Sequence, residues 1–367
     1  MQILTDQIEK VFFAYPVEKL CDASKILFID IETTGFTAKS SNLYLIGCVY
    51  FNSGIWYTKQ FFAENYSEEA EIITEFFEFA KDYTYLIHFN GNNFDLPYIT
   101  QKCKDLNLPY NFDSFEGLDI YKRVAPYKEV LKIENCKQKT LESFLKIERK
   151  DEMGGGDLIG VYHHFVESGD EEARRLLLLH NRDDIAGMLK LLPILSYVDL
   201  FNENIHVTKV SANYYKDYTG KDRSELIMSF DCPSIILTPV TIIKGNLYMT
   251  ASGNQGLIKV PIYEEEMKYF YANYRDYYYL PSEDQALHKS VASFVDKEHR
   301  IKATPATCYT RKSARFLPEW DAVVTPFFKR EYNSKELFFE ITKERQTDRE
   351  LFNRYASHIL NHLAEHK

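Results

Sequence analysis

The sequence lacks paired cysteines: its six cysteines are scattered along the chain, and no C-x-x-C pair occurs. This spacing argues against a zinc ribbon and against a disulfide scaffold. No apolar run approaches the ~18–20 residues of a membrane-spanning helix. The opening residues, which include Asp6 and Glu9, lack the basic-then-apolar layout of a signal peptide. We therefore expect a soluble, cytoplasmic protein with no membrane partner.

Basic residues are also fewer than acidic residues. Lysine and arginine number 44 against 54 aspartates and glutamates, which gives a formal net charge of −10. A protein that binds nucleic acid through broad, non-specific attraction is usually basic. If this protein binds a polyanion, local basic patches or bound metal cations must supply the attraction. Hydrophobic residues are plentiful at 45% and aromatic residues reach 15%, which predicts a packed core with β-rich layers but is also compatible with base stacking.

The chain of 367 residues is long enough for two ordinary domains. We predict a short helical arm over 1–24, a mixed-sheet α/β domain over 25–200 and a separate α+β region over 205–367. The middle domain is predicted from an early antiparallel hairpin that is followed by strands alternating with helices. Its longest helix is predicted over 171–198, with a bend near Pro193.

The α+β region is predicted from a change in sequence texture. Residues 240–263 are typical of a β-meander, 283–296 of a helix, 336–341 of a strand and 345–366 of a closing helix. In the preceding domain, the glycines within 153–156 predict a flexible joint.

Two carboxylates, Asp30 and Glu32, interrupt a run that is otherwise apolar, KILFIDIETTGF (25–36). Residues i and i+2 of a strand point to the same side, so both acids should project together from the end of a buried strand. Two like charges in such a place are costly unless a cation lies between them. The alternative is that both acids cap neighbouring backbone at a frayed strand end.

Asp95 is a third acid in a distinctive position, because it follows a strand and a polar turn in HFNGNNFDLPYI (88–99). A helix is predicted to begin there, so Asp95 could simply be the helix N-cap. Asn90 could likewise be an ordinary turn residue.

A fourth acid lies within the predicted long helix, in the stretch LLLLHNRDDIAGM (176–188). On a helical wheel, His180 and Asp184 share one largely apolar face, whereas Asp183 lies at the edge of that face. Asp184 is therefore the better candidate for an inward-facing acid, with Asp183 in a surface pair. The alternative for His180 is a core histidine whose hydrogen bonds are satisfied.

The four carboxylates of Asp30, Glu32, Asp95 and Asp184 together suit hard divalent cations, which take oxygen ligands and leave positions open for phosphate. Two such ions about 3.5–4 Å apart can activate a water and stabilise the leaving oxygen of a phosphodiester. The cations would also attract the polyanion that an acidic surface repels. We therefore predict two divalent cations, Mg²⁺ or Mn²⁺, as cofactors.

Three segments now point to a family. FIDIETTG, NGNNFD and HNRDD, in this order, resemble the three exonuclease motifs of the DEDD superfamily, whose members have the ribonuclease H-like fold. The chain is also similar to the YprB-like group of exonucleases, which share an LYLIG run after the first motif. The resemblance covers roughly residues 25–195. It implies a ribonuclease H-like exonuclease domain over 25–200.

The same resemblance assigns roles to individual residues. Asp30 and Asp184 would bridge or hold the two ions, and Glu32 and Asp95 would complete the ligand set. Substrate contacts are implied for three further residues: Thr33, Thr34 and Asn90. His180 matches the histidine branch of the superfamily in residue type but the tyrosine branch in spacing. Its imidazole could accept a proton from the attacking water or only orient that water.

Basic and aromatic residues are interleaved within 302–320, a pattern that suits a track for a single strand. The alternative is a solvated hairpin with aromatic core contacts. We predict that this region guides nucleic acid, so that replacing Arg311, Lys312 and Arg315 together by alanine weakens binding and flattens its salt dependence.

Three functions are compatible with these features. The favoured one is a metal-dependent 3′→5′ exonuclease that acts on the 3′ end of single-stranded DNA or RNA. The second is a structure-specific endonuclease on the same fold. The third is a non-catalytic nucleic-acid-binding adaptor that works beside a helicase.

Overall fold

A computed structural model of the chain describes residues 1–8, 14–148 and 155–365. These residues form two compact units. The first comprises 1–199 with 234–238, and the second comprises 200–233 with 239–367. Each unit contains a six-stranded sheet, and none of the described helices is both long and apolar enough to span a membrane.

The first unit is a mixed α/β structure, which confirms the predicted fold class. Its strands are β1 (Gln2–Gln7), β2 (Ile26–Thr33), β3 (Leu43–Asn52), β4 (Ile55–Phe62), β5 (Tyr85–His88) and β6 (Glu116–Asp119). Its helices are α1 (Glu69–Ala80), α2 (Asp95–Asp105), α3 (Ile120–Val124), α4 (Gln138–Phe144), α5 (Gly155–Ser168) and α6 (Glu171–Leu191), followed by α7 (Leu195–Asn202), which runs into the second unit.

The sheet order of the first unit is β1-β4-β3-β2-β5-β6. The pairs from β1 to β2 are antiparallel, whereas β5 pairs parallel with both β2 and β6. Residues Ile26 to Ile29 of β2 are fully buried, as expected for a central strand that is covered on both faces. Helix α6 packs across β2, β3 and β4, which places the middle of this helix over the carboxyl-terminal half of β2.

The predicted helical arm over 1–24 is wrong for its first residues. Gln2 to Gln7 form strand β1, which pairs antiparallel with β4. An isolated two-turn helix would gain little in water, whereas pairing with the free edge of β4 satisfies the backbone hydrogen bonds. Residues 9–13 of the predicted arm lie outside the described residues.

Two predicted interruptions of the chain have clear structural counterparts. Helix α6 ends at Leu191, and Pro193 lies in a 3₁₀ turn before α7, which is the predicted bend. Of the predicted glycine-rich joint, Gly155 begins α5, while Met153 and Gly154 lie outside the described residues.

The second unit is built mainly from long antiparallel strands. They are β7 (His206–Lys216), β8 (Asp222–Lys244), β9 (Leu247–Phe270), β10 (Tyr277–Leu280), β11 (Gln285–His288), β12 (Ile301–Lys302), β13 (Tyr309–Glu319), β14 (Phe327–Phe328) and β15 (Leu337–Glu340). The helices of this unit are α8 (Lys289–Ala292) and α9 (Arg349–Ala364). The larger sheet has the order β14-β15-β13-β9-β8-β7, and a smaller one has the order β11-β10-β12.

The predicted β-meander, late strand and closing helix correspond to β8 with β9, to β15 and to α9. The helix predicted over 283–296 is wrong. Its first part is strand β11, which pairs with β10 and buries Ala286, and only the four residues of α8 are helical. Pairing with β10 outweighs the helical preference of this short segment, because strand pairing depends on a neighbour that a single segment does not show.

Glu319 is fully buried at the end of β13, where one of its carboxylate oxygens accepts hydrogen bonds from the amides of Val323 (3.2 Å) and Val324 (3.0 Å). Burial raises the pKa of Glu319 from 4.5 to about 7. Between these two pH values the folded state keeps a proton that the unfolded chain has released. The free energy of unfolding should therefore fall as the pH rises through this window, by up to about 3 kcal/mol.

Replacing Glu319 by glutamine is expected to remove this pH dependence, because the amide does not titrate. Urea unfolding of the full chain at pH 5 and pH 8 measures the difference. The free energy of unfolding should fall between pH 5 and pH 8 in the wild-type protein, and it should fall less in the variant. An equal loss of stability in both proteins would contradict the assignment.

Candidate active site

Asp30 and Glu32 lie two residues apart on β2 and line one open pocket of about 450 Å³. Ile31 lies between them in the strand. Asp30 is partly buried, and Glu32 is 8% exposed. The pleat of the strand thus turns two carboxylates to the same side.

Asp95 does not line this pocket, but its carboxylate contacts the backbone of β2 between Asp30 and Glu32. It is the first residue of α2, after a turn that follows β5, and Phe94 occupies the N-cap position. One Asp95 carboxylate oxygen accepts a hydrogen bond from the amide of Ile31 at 3.2 Å. Burial raises the pKa of Asp95 to about 7, with a further contribution from the charge of Asp119.

The turn before Asp95 is held by Asp119, a residue at the end of β6 that sequence reasoning did not single out. The Asp119 carboxylate accepts hydrogen bonds from the amides of Asn90 (2.9 Å) and Asn92 (3.3 Å). Asn90 has a positive φ of 61°, and its side-chain oxygen accepts a hydrogen bond from the Asn93 amide group at 2.8 Å. The Asn90 side chain therefore serves the turn, and it is not among the pocket-lining residues.

Helix α6 supplies His180 and Asp184, which both line the pocket. The imidazole Nε2 of His180 lies 3.2 Å from Asp184 Oδ2 and 3.7 Å from Glu32 Oε1. His180 is only 4% exposed. Asp183, the neighbour of Asp184, does not line the pocket, and its Oδ2 atom is buried without a hydrogen-bond partner among the described residues, which does not fit the predicted surface pair. The helical spacing of four residues thus brings one imidazole and one carboxylate to the acids of β2.

The four acids interact electrostatically. The pKa of Asp30 is well above its ordinary value, first because of burial and then because of the negative charges of Asp95, Glu32 and Asp184. A hydrogen bond from Asn181 partly opposes this shift. Like charges this close favour either proton uptake or a bound cation.

The donor set fits a divalent metal ion. Glu32, His180 and Asp184 each offer one ligand atom, and these atoms lie within 4.8 Å of one another. Carboxylate oxygens are the ligands that suit Mg²⁺ and Mn²⁺, so the oxygens of Glu32 and Asp184 fit these ions better than the imidazole of His180 does. The carboxylates and the negative charge that they concentrate around Asp30 therefore suit a divalent cation.

Thr33 and Thr34 continue β2 into the next loop. Thr33 lines the pocket, and its hydroxyl donates to the carbonyl of Gly35 at 2.8 Å. The Thr34 hydroxyl accepts a hydrogen bond from the amide of Asn42 at 2.8 Å. Thr33 is therefore placed at the pocket, while the Thr34 side chain fastens the loop.

Part of the pocket lining is basic, and sequence reasoning did not identify it. Lys137, Gln138 and Lys139 line the pocket at the start of α4, and both lysines are exposed. The Gln138 amide donates to the backbone carbonyl of Asp184 at 3.0 Å, which ties α4 to α6. In the sequence, the two lysines that flank Gln138 were the feature that could have indicated this basic lining. Nothing in the sequence alone indicated which residues they face.

The three bases predicted to guide a strand lie on β13 of the second unit. Each contacts a carboxylate within 3.1 Å, in the pairs Arg311–Glu266, Lys312–Glu340 and Arg315–Glu264. Successive residues of a strand point to opposite faces, so Lys312 faces away from Arg311 and Arg315. These bases do not form one continuous track on β13, and their guiding role stays a prediction.

Comparison with known proteins finds one family match in the first part of the chain. Residues 27–196 match the family model of the RNase_H superfamily. DNA polymerase 1 of Sulfurisphaera ohwakuensis is 34% identical in an alignment of length 71, and the match covers 16% of this chain and 8% of the polymerase. This chain therefore spans only a small part of that relative.

Solved structures show more distant similarity. The family B DNA polymerase of Pyrobaculum calidifontis is 18% identical, with a TM-score of 0.39 over 48% of this chain and 25% of the polymerase. Exonuclease I of E. coli in complex with a dT13 oligonucleotide is 11% identical, with a TM-score of 0.28 over 56% of this chain and 55% of that enzyme. Similarity at this level does not extend to function. The part of the chain that holds the acidic cluster has the ribonuclease H-like fold, and it is this part that the RNase_H superfamily model matches.

Proposed function

We propose that this protein is a metal-dependent 3′→5′ exonuclease that hydrolyses the phosphodiester bonds of single-stranded DNA or RNA. The observation that carries the proposal is that Asp30, Glu32, His180 and Asp184 line one open pocket, while the carboxylate of Asp95 lies close to Asp30 and accepts a hydrogen bond from the amide of Ile31. The superfamily match over 27–196 supports it. The 3′→5′ direction follows the resemblance of the three sequence motifs.

Asp30, Glu32, Asp95 and Asp184 would hold two divalent cations. Such ions supply a nucleophile at neutral pH and stabilise the leaving oxygen of a phosphodiester. His180 holds its Nε2 between Glu32 and Asp184. Once cations occupy the oxygens of these two carboxylates, the imidazole would accept a proton from the attacking water or orient that water.

The rim of the pocket supplies substrate contacts. The exposed ammonium groups of Lys137 and Lys139 would bind backbone phosphates. The ring of Phe36, which is 82% exposed and lines the pocket, offers a surface on which a terminal base would stack. Thr33 would contact the terminal nucleotide from the end of β2.

The test is a cleavage assay with single-stranded DNA and RNA that are labelled separately at each end, with Mn²⁺, with Mg²⁺ and with EDTA. A 3′→5′ exonuclease shortens the 5′-labelled strand stepwise and leaves a circular strand intact. Cutting of the circular strand would instead indicate an endonuclease. Oligonucleotide binding without cleavage in any ion would indicate an adaptor, and the predicted helicase partner belongs to that alternative.

Replacing Lys137 and Lys139 together by alanine is expected to weaken oligonucleotide binding. Each lost phosphate contact should reduce the slope of log K against log salt by about 1. Fluorescence anisotropy at several salt concentrations measures this slope, with Ca²⁺ in place of the catalytic ions so that binding is separated from cleavage.

Lys190→Ala is the matched control, because Lys190 is an exposed base of α6 that does not line the pocket. It should bind like the wild type. A double variant whose salt dependence equals that of the wild type would remove these lysines from the substrate contacts.

A further inference from the structure

A line of three residues crosses the sheet beneath the acidic cluster. Asp30 of β2 is the direct partner of Gly47 of β3, and Gly47 is the direct partner of Gln60 of β4. Direct partners on neighbouring antiparallel strands point to the same face of the sheet. The side chains of Asp30 and Gln60 therefore extend toward α6 on either side of Gly47, which has no side chain.

Asn181 of α6 fills the space above Gly47. A Cβ atom at position 47 would lie 2.1 Å from the Asn181 side-chain oxygen, closer than any real contact. Asn181 is fully buried, and Gln60 is 3% exposed. Glycine is thus required at position 47 by the close approach of a polar side chain, while its backbone conformation is that of an ordinary strand.

The two amides have a defined orientation. Gln60 Nε2 donates to the Asn181 side-chain oxygen at 2.9 Å and to the backbone carbonyl of Leu178 at 2.9 Å. Because the Asn181 oxygen faces this donor, its Nδ2 group must face the other way, where it donates to Asp30 Oδ2 at 3.1 Å. Rotation of either amide by 180° would place like groups against each other.

We infer that Asn181 and Gln60 are positioning residues for Asp30, an inference that rests on the proposed function. The Asn181 amide donates to Oδ2 of Asp30 and so fixes the orientation of this carboxylate. It occupies Oδ2, so that Oδ1 remains as the oxygen for a cation. Gln60 contacts neither the pocket nor Asp30, and acts by fixing which end of the Asn181 amide faces the carboxylate.

The decisive variant is Gln60→Glu, which keeps the shape of the side chain but replaces its two donated hydrogen bonds by acceptors. The Asn181 amide should then turn its nitrogen toward the introduced carboxylate and present its oxygen to Asp30. We expect Mn²⁺ affinity, measured by calorimetry, and kcat to fall by about 10–100-fold, the usual effect of removing a group that orients a metal ligand. The KM for the oligonucleotide should change less than kcat.

Two further variants separate positioning from general destabilisation. Gln346→Glu adds the same charge at an exposed position of the second unit and should leave both quantities unchanged. Gln60→Met removes the hydrogen bonds without adding charge, so it should show a smaller loss in the same direction. It also provides the measurement if Gln60→Glu does not fold.

A double-variant comparison tests whether Gln60 acts through Asn181. In the Asn181→Ala background, Gln60→Glu should cause little additional loss of Mn²⁺ affinity, because the group it orients is absent. The inference would be overturned if the two substitutions reduced Mn²⁺ affinity independently, so that the fold losses multiply in the double variant. Wild-type Mn²⁺ affinity in the folded Gln60 variants would also overturn it. If the wild-type protein binds Mn²⁺ but cleaves no nucleic acid, the proposed function fails while the calorimetric comparison still decides the positioning role.

Discussion

Asp184→Asn is expected to reduce metal-dependent cleavage by on the order of 10³-fold or more, whereas Asp183→Asn should stay within about threefold of the wild type. The two residues are neighbours on α6, yet only Asp184 lines the pocket, where it lies 3.2 Å from His180. Asparagine keeps the shape of aspartate but is a poor ligand for a hard cation, so the loss at Asp184 would report the missing charge.

The neighbouring pair is its own control. Each substitution removes one negative charge from the same turn of the same helix, so the change in net charge is the same. Initial rates on a 5′-labelled single strand with Mn²⁺ measure the difference, and circular dichroism verifies the fold. Equal activity of the two variants would remove Asp184 from the metal site.

The sequence could predict this asymmetry because helical periodicity is a local property. A spacing of four residues places His180 and Asp184 on one face of a helix whatever lies beneath it. The pair Asp30 and Glu32 is local in the same way, since the pleat of a strand turns both to one side. Each of these side chains was therefore identifiable without knowledge of its neighbours in space.

The support of these residues was not predictable, because it depends on strand register. Gly47 is the partner of Asp30, and Gln60 the partner of Gly47, only when β2, β3 and β4 are aligned. A shift of β4 by one residue would turn the Gln60 side chain to the other face. Asn181 gains a function only when α6 crosses Gly47. In the sequence these residues are a glycine in a hydrophobic run, a glutamine in a strand and an asparagine after a histidine.

The two wrong secondary-structure predictions have a related cause. Gln2 to Gln7 and Gln285 to His288 are short segments whose conformation is decided by a strand beside them, β4 and β10. Local pattern carries little information when the hydrogen-bonding partner is remote in sequence. The predicted basic track at Arg311, Lys312 and Arg315 was affected in the same way, since the carboxylates that contact these bases lie on other strands.

Asp30→Asn should have opposite effects on stability with and without divalent ions. In EDTA the variant is expected to be more stable than the wild type by on the order of 1–2 kcal/mol, because it removes one of four interacting carboxylates. The hydrogen bond with Asn181 survives, since an asparagine at position 30 can turn its oxygen toward the Asn181 amide. With ions present the order should reverse, because the variant lacks a ligand that the wild type uses.

Thermal unfolding in EDTA and in increasing Mn²⁺ measures both effects. When the free Mn²⁺ concentration is 100 times the dissociation constant, binding raises the free energy of unfolding of the wild-type protein by about 2.7 kcal/mol. The variant should lose most of this stabilisation. Asp113→Asn is the control, because Asp113 is an exposed acid of the first unit and does not line the pocket. A variant that is less stable in EDTA yet gains the full stabilisation from Mn²⁺ would show that Asp30 has a structural role and does not bind the cation. The opposite outcome would mean that the fold tolerates unfavourable charge at Asp30 because a cation compensates for it, and this can be established without any assay of nucleic-acid cleavage.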